Sequence, residues 1–392
     1  MKFAHLADTH LGYRQFGLYE REKDFYEVFE KIIDRIIEEK VDFVIHSGDL
    51  FDNSRPSPLA LLTFQKCLIK LKNANIPVYA IAGNHDSVLR KGAIPPQVLF
   101  KKFGLKVISP INTNYMYEDI FIAGLPYYSS SQYKNLKNKL SELSKKAANH
   151  EKSILVLHQG IDKYFNLQYE LEIGDVPDNF TYYAMGHLHN FINDDFGKGK
   201  LVYPGSSEIW KTTELPDYRK NGKGFVIVDL DGKKPSVERI KIDLPREFIE
   251  RTLDYDKLGS ETDALKQTIK DFDKKPILNL TVNNVTSAST AHEFITNELD
   301  DFALMIRPKF KVPGEESIDL IIDKENALGP IEVLSSRLEK YDDEEITKFA
   351  TELYNLLSKD KSEDARELMD EFYREKYPLE EVEEDGKWFL NV

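Results

Sequence analysis

The chain has 392 residues, 41% hydrophobic and 31% charged, with a formal net charge of −14 and a single cysteine. That length suits two or three domains with real cores, and one cysteine excludes an internal disulfide framework and suits a reducing cytosol. No apolar run of about 18 residues offers a membrane span, and the N-terminus MKFAHLADTH lacks the charged and apolar regions of a secretory signal, so a cytoplasmic protein is expected.

Residues 1–240 alternate short apolar runs with helix-like segments. Strands are expected at 2–7, 41–45, 78–82, 120–125, 154–157, 182–185 and 225–229. Helices are expected at 24–39, 59–71, 96–103 and 134–148. Ser57-Pro58 is a strong helix start, with serine as cap and proline at the first position. The helix after it is apolar on more than one side (Leu61, Leu62, Phe64, Leu68, Ile69), which points to a sheet contact and a second copy of the chain. This alternation indicates an α/β layered sandwich over 1–242. A small α/β domain is expected over 245–325, with strands at 248–253, 277–282 and 304–311 and helices at 261–272 and 291–302.

Residues 330–392 are helical in pattern and acidic. Residues 331–392 hold 19 Asp and Glu against 9 Lys and Arg, so the first 330 residues carry only −4 of the total. Each short segment has one apolar face (Ile346, Phe349, Leu353 and Leu356, for example) and is too short to fold alone. The tail is either a further helical layer or an arm that docks a partner. The overall negative charge argues against nucleic-acid binding, but its concentration in the tail weakens that argument.

Five strand ends finish in metal-ligand chemistry. Asp8 and His10 follow FAHLA, Asp49 follows VIHSG, and Asn84 and His85 follow VYAIAG. His158 follows ILVL, and His187 and His189 follow YYAM. In an open α/β sheet, ligands gather beyond the carboxyl ends of strands. A lone His or Asp at a strand end is ordinary. Here six of the nine histidines lie in or beside these motifs, which favours one shared centre. Imidazole with carboxylate suits Mn, Fe or Zn. Asp8, His10 and His189 would hold one ion and Asn84, His158 and His187 the other, with Asp49 shared. In an extended loop, residues two apart point the same way, so DTH and HLH would each send two side chains to one centre.

His85 lies one residue out of phase and is the candidate either to protonate the leaving oxygen or to stabilise the charged phosphorane. Asp86 either orients His85 or caps the next turn, and Asp52 supports the site or ends a turn. His5, His46 and Cys67 read as core, and His150 and His292 as surface. Tyr13, Arg14, Arg55, Arg90 and Lys91 lie close to these motifs and are candidates to grip phosphates.

DTH, GDLFD, GNHD, HQG and GHLH, in this order, resemble the calcineurin-like metallophosphoesterases over about residues 1–210. MKFAHLADTHLGY, GDLFDNSRPSP and YPGSSE look more closely like the DNA double-strand-break repair nucleases of the meiotic-recombination-eleven and SbcD type. The resemblance implies a pair of Mn2+ ions on Asp8, His10, Asp49, Asn84, His158, His187 and His189, with His85 assisting the transition state. It implies a 3′→5′ exonuclease on duplex ends that is also an endonuclease on single strands and hairpins. It further implies a DNA-capping small domain, a homodimer through helices near 59–71 and 96–103, and docking of an SbcC-like coiled-coil ATPase through 330–392. One departure stands out: many members have His where this chain has Asp52, which puts exonuclease rate or strand preference in question. The rival readings are another two-metal phosphoesterase (a protein phosphatase or nucleotide phosphodiesterase) and a DNA-end-binding scaffold with a silent metal site.

Overall fold

A computed structural model of the chain describes residues 1–87, 94–165, 169–311 and 344–357, with 365, 368, 369 and 372. The chain divides into two compact units, the first Met1–Glu247 and the second beginning at Phe248.

The first unit is built on two six-stranded sheets. Sheet one runs β12-β11-β1-β2-β3-β4, from Ser236–Lys241 (β12), Gly224–Asp229 (β11), Lys2–Leu6 (β1), Phe43–His46 (β2), Val78–Ala80 (β3) and Leu105–Val107 (β4). Sheet two runs β5-β6-β7-β8-β10-β9, from Asn114–Tyr117 (β5), Ile120–Leu125 (β6), Lys152–His158 (β7), Tyr182–Gly186 (β8), Gly199–Tyr203 (β10) and Ile192–Phe196 (β9). Strands β1 to β4 are mutually parallel, as are β6, β7, β8 and β10.

Period-two alternation sorts each strand between two layers. Phe3, Phe43, Ile45, Tyr79, Ile154, Val156 and Tyr182 fill one cluster contributed by both sheets. Ala4, Leu6 and Val44 instead join the helices Tyr19–Glu38 (α1) and Pro58–Asn73 (α2). Leu155, Leu157 and Tyr183 join the helix Tyr133–Ala147 (α3). The expected layered sandwich is therefore present, with sheets inside and helices outside. Ser57 caps α2 as expected, accepting from the Ala60 backbone at 3.2 Å. A short helix, Leu215–Asn221 (α4), leads into β11.

Several elements differ from expectation. Helix α1 starts at Tyr19, five residues early, because charged residues that break the apolar period are buried in pairs. Arg21 donates to Asp24 at 2.8 Å and lies 3.2 Å from Glu208, while Glu22 receives Arg14 at 2.7 Å and Tyr26 at 2.6 Å. Strands β4, β5, β9, β10 and β12 had no apolar run long enough to announce them. His150 is half-buried and stacks on Phe121, with centroids 4.7 Å apart, so it is not a free surface residue. His292, on the helix Ala288–Leu299 below, is also half-buried. His5, His46 and Cys67 are buried, as their strand and helix positions required.

In the second unit, strands Phe248–Asp254 (β13), Ile277–Asn283 (β14) and Met305–Phe310 (β15) form a parallel sheet, with β14 central. The crossover helices Leu258–Ile269 (α5) and Ala288–Leu299 (α6) pack on it through Leu265, Ile269, Ile295 and Leu299. In helix Glu344–Leu357 (α7), Ile346, Phe349, Leu353 and Leu356 are half-buried. The rest of 330–392, apart from the four single residues, lies outside the described residues. Among the described residues, no helix is long and apolar enough to cross a membrane.

Asp24 joins α1 to the end of the first unit, receiving Arg246 at 2.7 Å as well as Arg21. Burial alone would raise its pKa, but these two guanidinium groups hold it below the usual carboxylate range. Its stabilising contribution is therefore complete above the unfolded pKa and disappears as pH falls through the lower folded value. Asp24→Asn is expected to cost about 3 kcal/mol in denaturant unfolding at pH 7. The gap to wild type should close as the medium is acidified below about pH 4.

Candidate metal centre

The parallel strands of both sheets deliver their carboxyl ends to one place. Asp8 and His10 follow β1, Asp49 follows β2, and Asn84 and His85 follow β3. His158 is the last residue of β7, and His187 and His189 follow β8. The His187 N–H donates to both Asp8 carboxylate oxygens at 3.1 Å. His158 Nε2 lies 3.2 Å from Asp49 Oδ2, 3.0 Å from Asn84 Oδ1 and 3.9 Å from Asp8 Oδ1. Asn84 Oδ1 is also 2.9 Å from His187 Nδ1. His10 Nε2 lies 3.2 Å from His189 Nε2 and 3.9 Å from Asp49 Oδ2. The seven side chains singled out in the sequence thus converge on one pocket.

The donor count in this pocket calls for cations. His158 Nδ1 faces the Ser47 carbonyl at 2.8 Å, which can only accept, so Nδ1 carries a proton. Neutral His158 then turns a lone pair on Nε2 toward Asp49 and Asn84, which present acceptors too. Likewise His189 Nδ1 meets Glu214 at 2.8 Å, and its Nε2 faces the Nε2 of His10. At His158 a lone pair therefore faces acceptors, an arrangement that a proton or a metal ion relieves. Burial alone would lower the His158 pKa, yet the Asp49 carboxylate pushes it up to about 9. Burial raises Asp8 to about 7. It also lowers His187 to about 3, with the nearby His158 charge adding to the effect. Asp8, His10 and His189 form one group with ligand atoms within 4.8 Å, and Asp8, Asp49 and His158 form another. Imidazole nitrogens mixed with carboxylate oxygens suit borderline divalent metals.

The backbone brings these groups together by a route the motifs did not suggest. The loops are not extended. Asp8 (φ 52°), His10 (φ 43°), Asp49 (φ 52°) and His187 (φ 94°) all lie in the left-handed region. Such conformations cost roughly 1–3 kcal/mol each and persist where surrounding structure dictates them. The motif glycines supply room. A Cβ on Gly48 or Gly186 would strike His158, and one on Gly83 would strike Asp49.

Residues outside the motifs complete the surroundings. Glu214 and fully buried Lys223 back His189. Burial would raise the Glu214 pKa, but the Lys223 ammonium holds it well below the usual range. Trp210 stacks on His10 with centroids 5.3 Å apart and meets His85 and His189 edge-on. Glu170 receives the Gly160 N–H at 2.8 Å and lies 3.8 Å from His187 Nε2. None carried a sequence signal except the YPGSSE segment leading toward Trp210.

Asp86 does not orient the His85 ring. It is buried and accepts from the backbones of Leu50 at 2.7 Å, Phe51 at 3.2 Å and Gly83 at 2.7 Å, tying the Asp49 loop to the Asn84 loop. Asp52 does face the site: its carboxylate lies 3.4 Å from His10 Nδ1, and its carbonyl is 3.0 Å from His85 Nδ1. Tyr13 packs against Phe25 and Trp210. Arg14 is paired with Glu22, and Arg55 is exposed. Arg90 and Lys91 lie outside the described residues.

This geometry is that of a metal-dependent phosphoesterase, and residues 1–191 match the calcineurin-like phosphoesterase family. The chain is 45% identical over 255 residues to the DNA double-strand break repair protein Mre11 of Methanocaldococcus jannaschii, covering 64% of this chain and 69% of that one. The Mre11 of Methanococcus maripaludis is 37% identical over 287 residues (71% and 77%), and that of Thermoplasma acidophilum 36% over 321 (78% and 83%). The chain belongs to the Mre11 family.

Gly83→Ala is expected to cost about 1–3 kcal/mol by forcing Asp49 aside. Thermal unfolding and a manganese titration should both register the change. Gly174→Ala, where an added Cβ meets nothing within 4 Å, should register in neither.

Proposed function

We propose that this chain is a manganese-dependent DNA nuclease of double-strand-break repair. It acts as a 3′→5′ exonuclease on duplex ends and an endonuclease on single strands and hairpins, in a prokaryotic cytosol. The carrying observation is the convergence of Asp8, His10, Asp49, Asn84, His158, His187 and His189, with acceptors facing one another, in a chain of the Mre11 family. Asp8, His10 and His189 would hold one ion and Asn84, His158 and His187 the other, with Asp49 available to both. Two bound ions would supply Lewis-acid polarisation of a phosphoryl oxygen and a more acidic water.

The protein's own groups do the rest. His85 is half-exposed, and its backbone N–H donates to Asp49 Oδ1 at 2.9 Å, which fixes the ring's distance from the centre. Its Nδ1–H donates to the Asp52 carbonyl, which leaves Nε2 free, and the ring's imidazolium form would give the Nε2 proton to the departing 3′ oxygen and return to neutral imidazole. Trp210 stacks on the ring of His10 and meets those of His85 and His189 edge-on, so its indole covers that side of the site. Asp52 brings a negative charge where many relatives offer a histidine, which favours positioning of His10 over contact with DNA. Tyr13, Arg14 and Arg55, with Arg90 and Lys91, serve as phosphate contacts.

The same reading extends to partners. Leu59, Leu62 and Ile69 on α2, with Leu99 and Phe103 in the turn of helix at Pro96–Phe103, are exposed apolar residues that suit a homodimer contact. Residues 245–325 cap the DNA. Residues 330–392, including amphipathic α7, dock an SbcC-like coiled-coil ATPase.

Manganese-loaded protein should degrade a labelled duplex end and leave a phosphotyrosine peptide and a cyclic nucleotide intact. The reverse preference would assign the chain to another phosphoesterase class. His85→Gln should retain two ions by elemental assay while cleavage falls about 10²–10⁴-fold. Normal cutting by that variant would remove His85 from the chemistry. Deleting residues 330–392 should leave cleavage by the nuclease alone intact and abolish co-elution with the ATPase.

A further inference from the structure

We propose that Lys223 and Glu214 are a buried positioning pair for His189, fixing its ring so that Nε2 is offered to the ion seat shared with Asp8 and His10. The inference rests on the reading of His189 as a ligand and assigns that ligand its control.

The geometry is closed on every side. Glu214 Oε1 lies 2.8 Å from His189 Nδ1 and also accepts the Lys211 backbone N–H at 3.0 Å. Glu214 Oε2 receives the Lys223 ammonium and lies 3.0 Å from Ser206 Oγ. Lys223 Nζ reaches Ser206 Oγ at 2.6 Å and the His189 carbonyl at 3.2 Å. An ammonium has three donors, and all three are engaged. One lysine therefore holds both the main chain of His189 and the carboxylate that holds its ring. A carboxylate can only accept from Nδ1, so the proton stays there and the lone pair stays on Nε2.

A purely structural account of the pair is weak. Removing a Lys–Glu pair from water costs about as much as the pairing returns, and an apolar pair of similar size would hold this spot as well. What an apolar pair lacks is control of the imidazole's tautomer and tilt. Such outer partners typically alter metal affinity by about 10–100-fold. The effect is confined to one seat. The His158 ring donates to the Ser47 carbonyl, and His187 and Asn84 pair with each other, without touching Lys223 or Glu214.

The test is a calorimetric titration of the full chain with Mn2+ alone. Glu214→Gln by itself leaves a buried ammonium unpaired and is expected to lower the melting temperature. The double variant E214Q/K223M removes both charges at nearly constant volume and carries the measurement. It is expected to melt close to wild type and retain one ion, while the other is weakened about 10–100-fold. His189→Ala should lose the same ion. Wild-type affinity for both ions in E214Q/K223M, with loss in His189→Ala, overturns the positioning role alone. Wild-type affinity in both variants overturns the ligand reading beneath it. Should the double variant not fold, Glu214→Asp retains the charge and withdraws it by one methylene. Weakening of one ion then supports the inference, and undiminished binding of both overturns it.

Discussion

The bond between His158 Nδ1 and the Ser47 carbonyl decides the electrostatics of the pocket. It fixes a proton on the outer side of the ring and commits the inner nitrogen to face Asp49 and Asn84. Ser47 is itself clamped between the sheets, its hydroxyl donating to the Met185 carbonyl at 3.0 Å and sharing His5 Nε2 at 2.8 Å. His5 in turn meets the Tyr182 hydroxyl at 2.9 Å. The sandwich interior and the pocket are therefore one hydrogen-bonded construction. A cluster of acceptors aimed at one another is unstable without a cation, and the rigid ends of the central strands hold the groups in place for one.

The fold and the pocket were legible in the sequence to different depths, for physical reasons. Central strands such as β7 and β8 are buried on both faces and read as apolar runs. Edge strands β9 and β12 carry INDDF and SVERIK, which look like loop because one side meets water. The seven expected side chains were readable because each sits directly after such a run. Glu214 and Lys223 were not, because a charged residue reads as surface unless its partner is known, and the partners meet only through the fold. The left-handed turns at Asp8, His10, Asp49 and His187 were equally hidden, since no rule of spacing demands that conformation from Asp or His.

Helix α2 shows the same division between local and tertiary information. Its buried side, Phe64, Cys67, Leu68 and Leu71, packs in the core, whereas Leu59, Leu62 and Ile69 remain exposed. Both sets are apolar, and only burial separates them. The acidic charge of the chain is likewise a poor guide to its ligand. Local chemistry at the strand ends governs what approaches them, and the surplus of carboxylates lies mostly far along the chain, after residue 330.

The position of β1 has a consequence for synthesis. This strand, made first, lies inside sheet one between β2 and β11, and its register with β11 pairs Lys2 with Asp229. Asp8 is secured by the His187 N–H and, through its carbonyl, by the Ser207 N–H at 3.4 Å. A chain still emerging from the ribosome therefore carries its first two motifs without the partners that shape them. Contacts so distant along the sequence form late. A hydrolytic pocket that assembles only after residue 229 has appeared is silent until that point of translation, which shields the cell's nucleic acids from a half-built cutter.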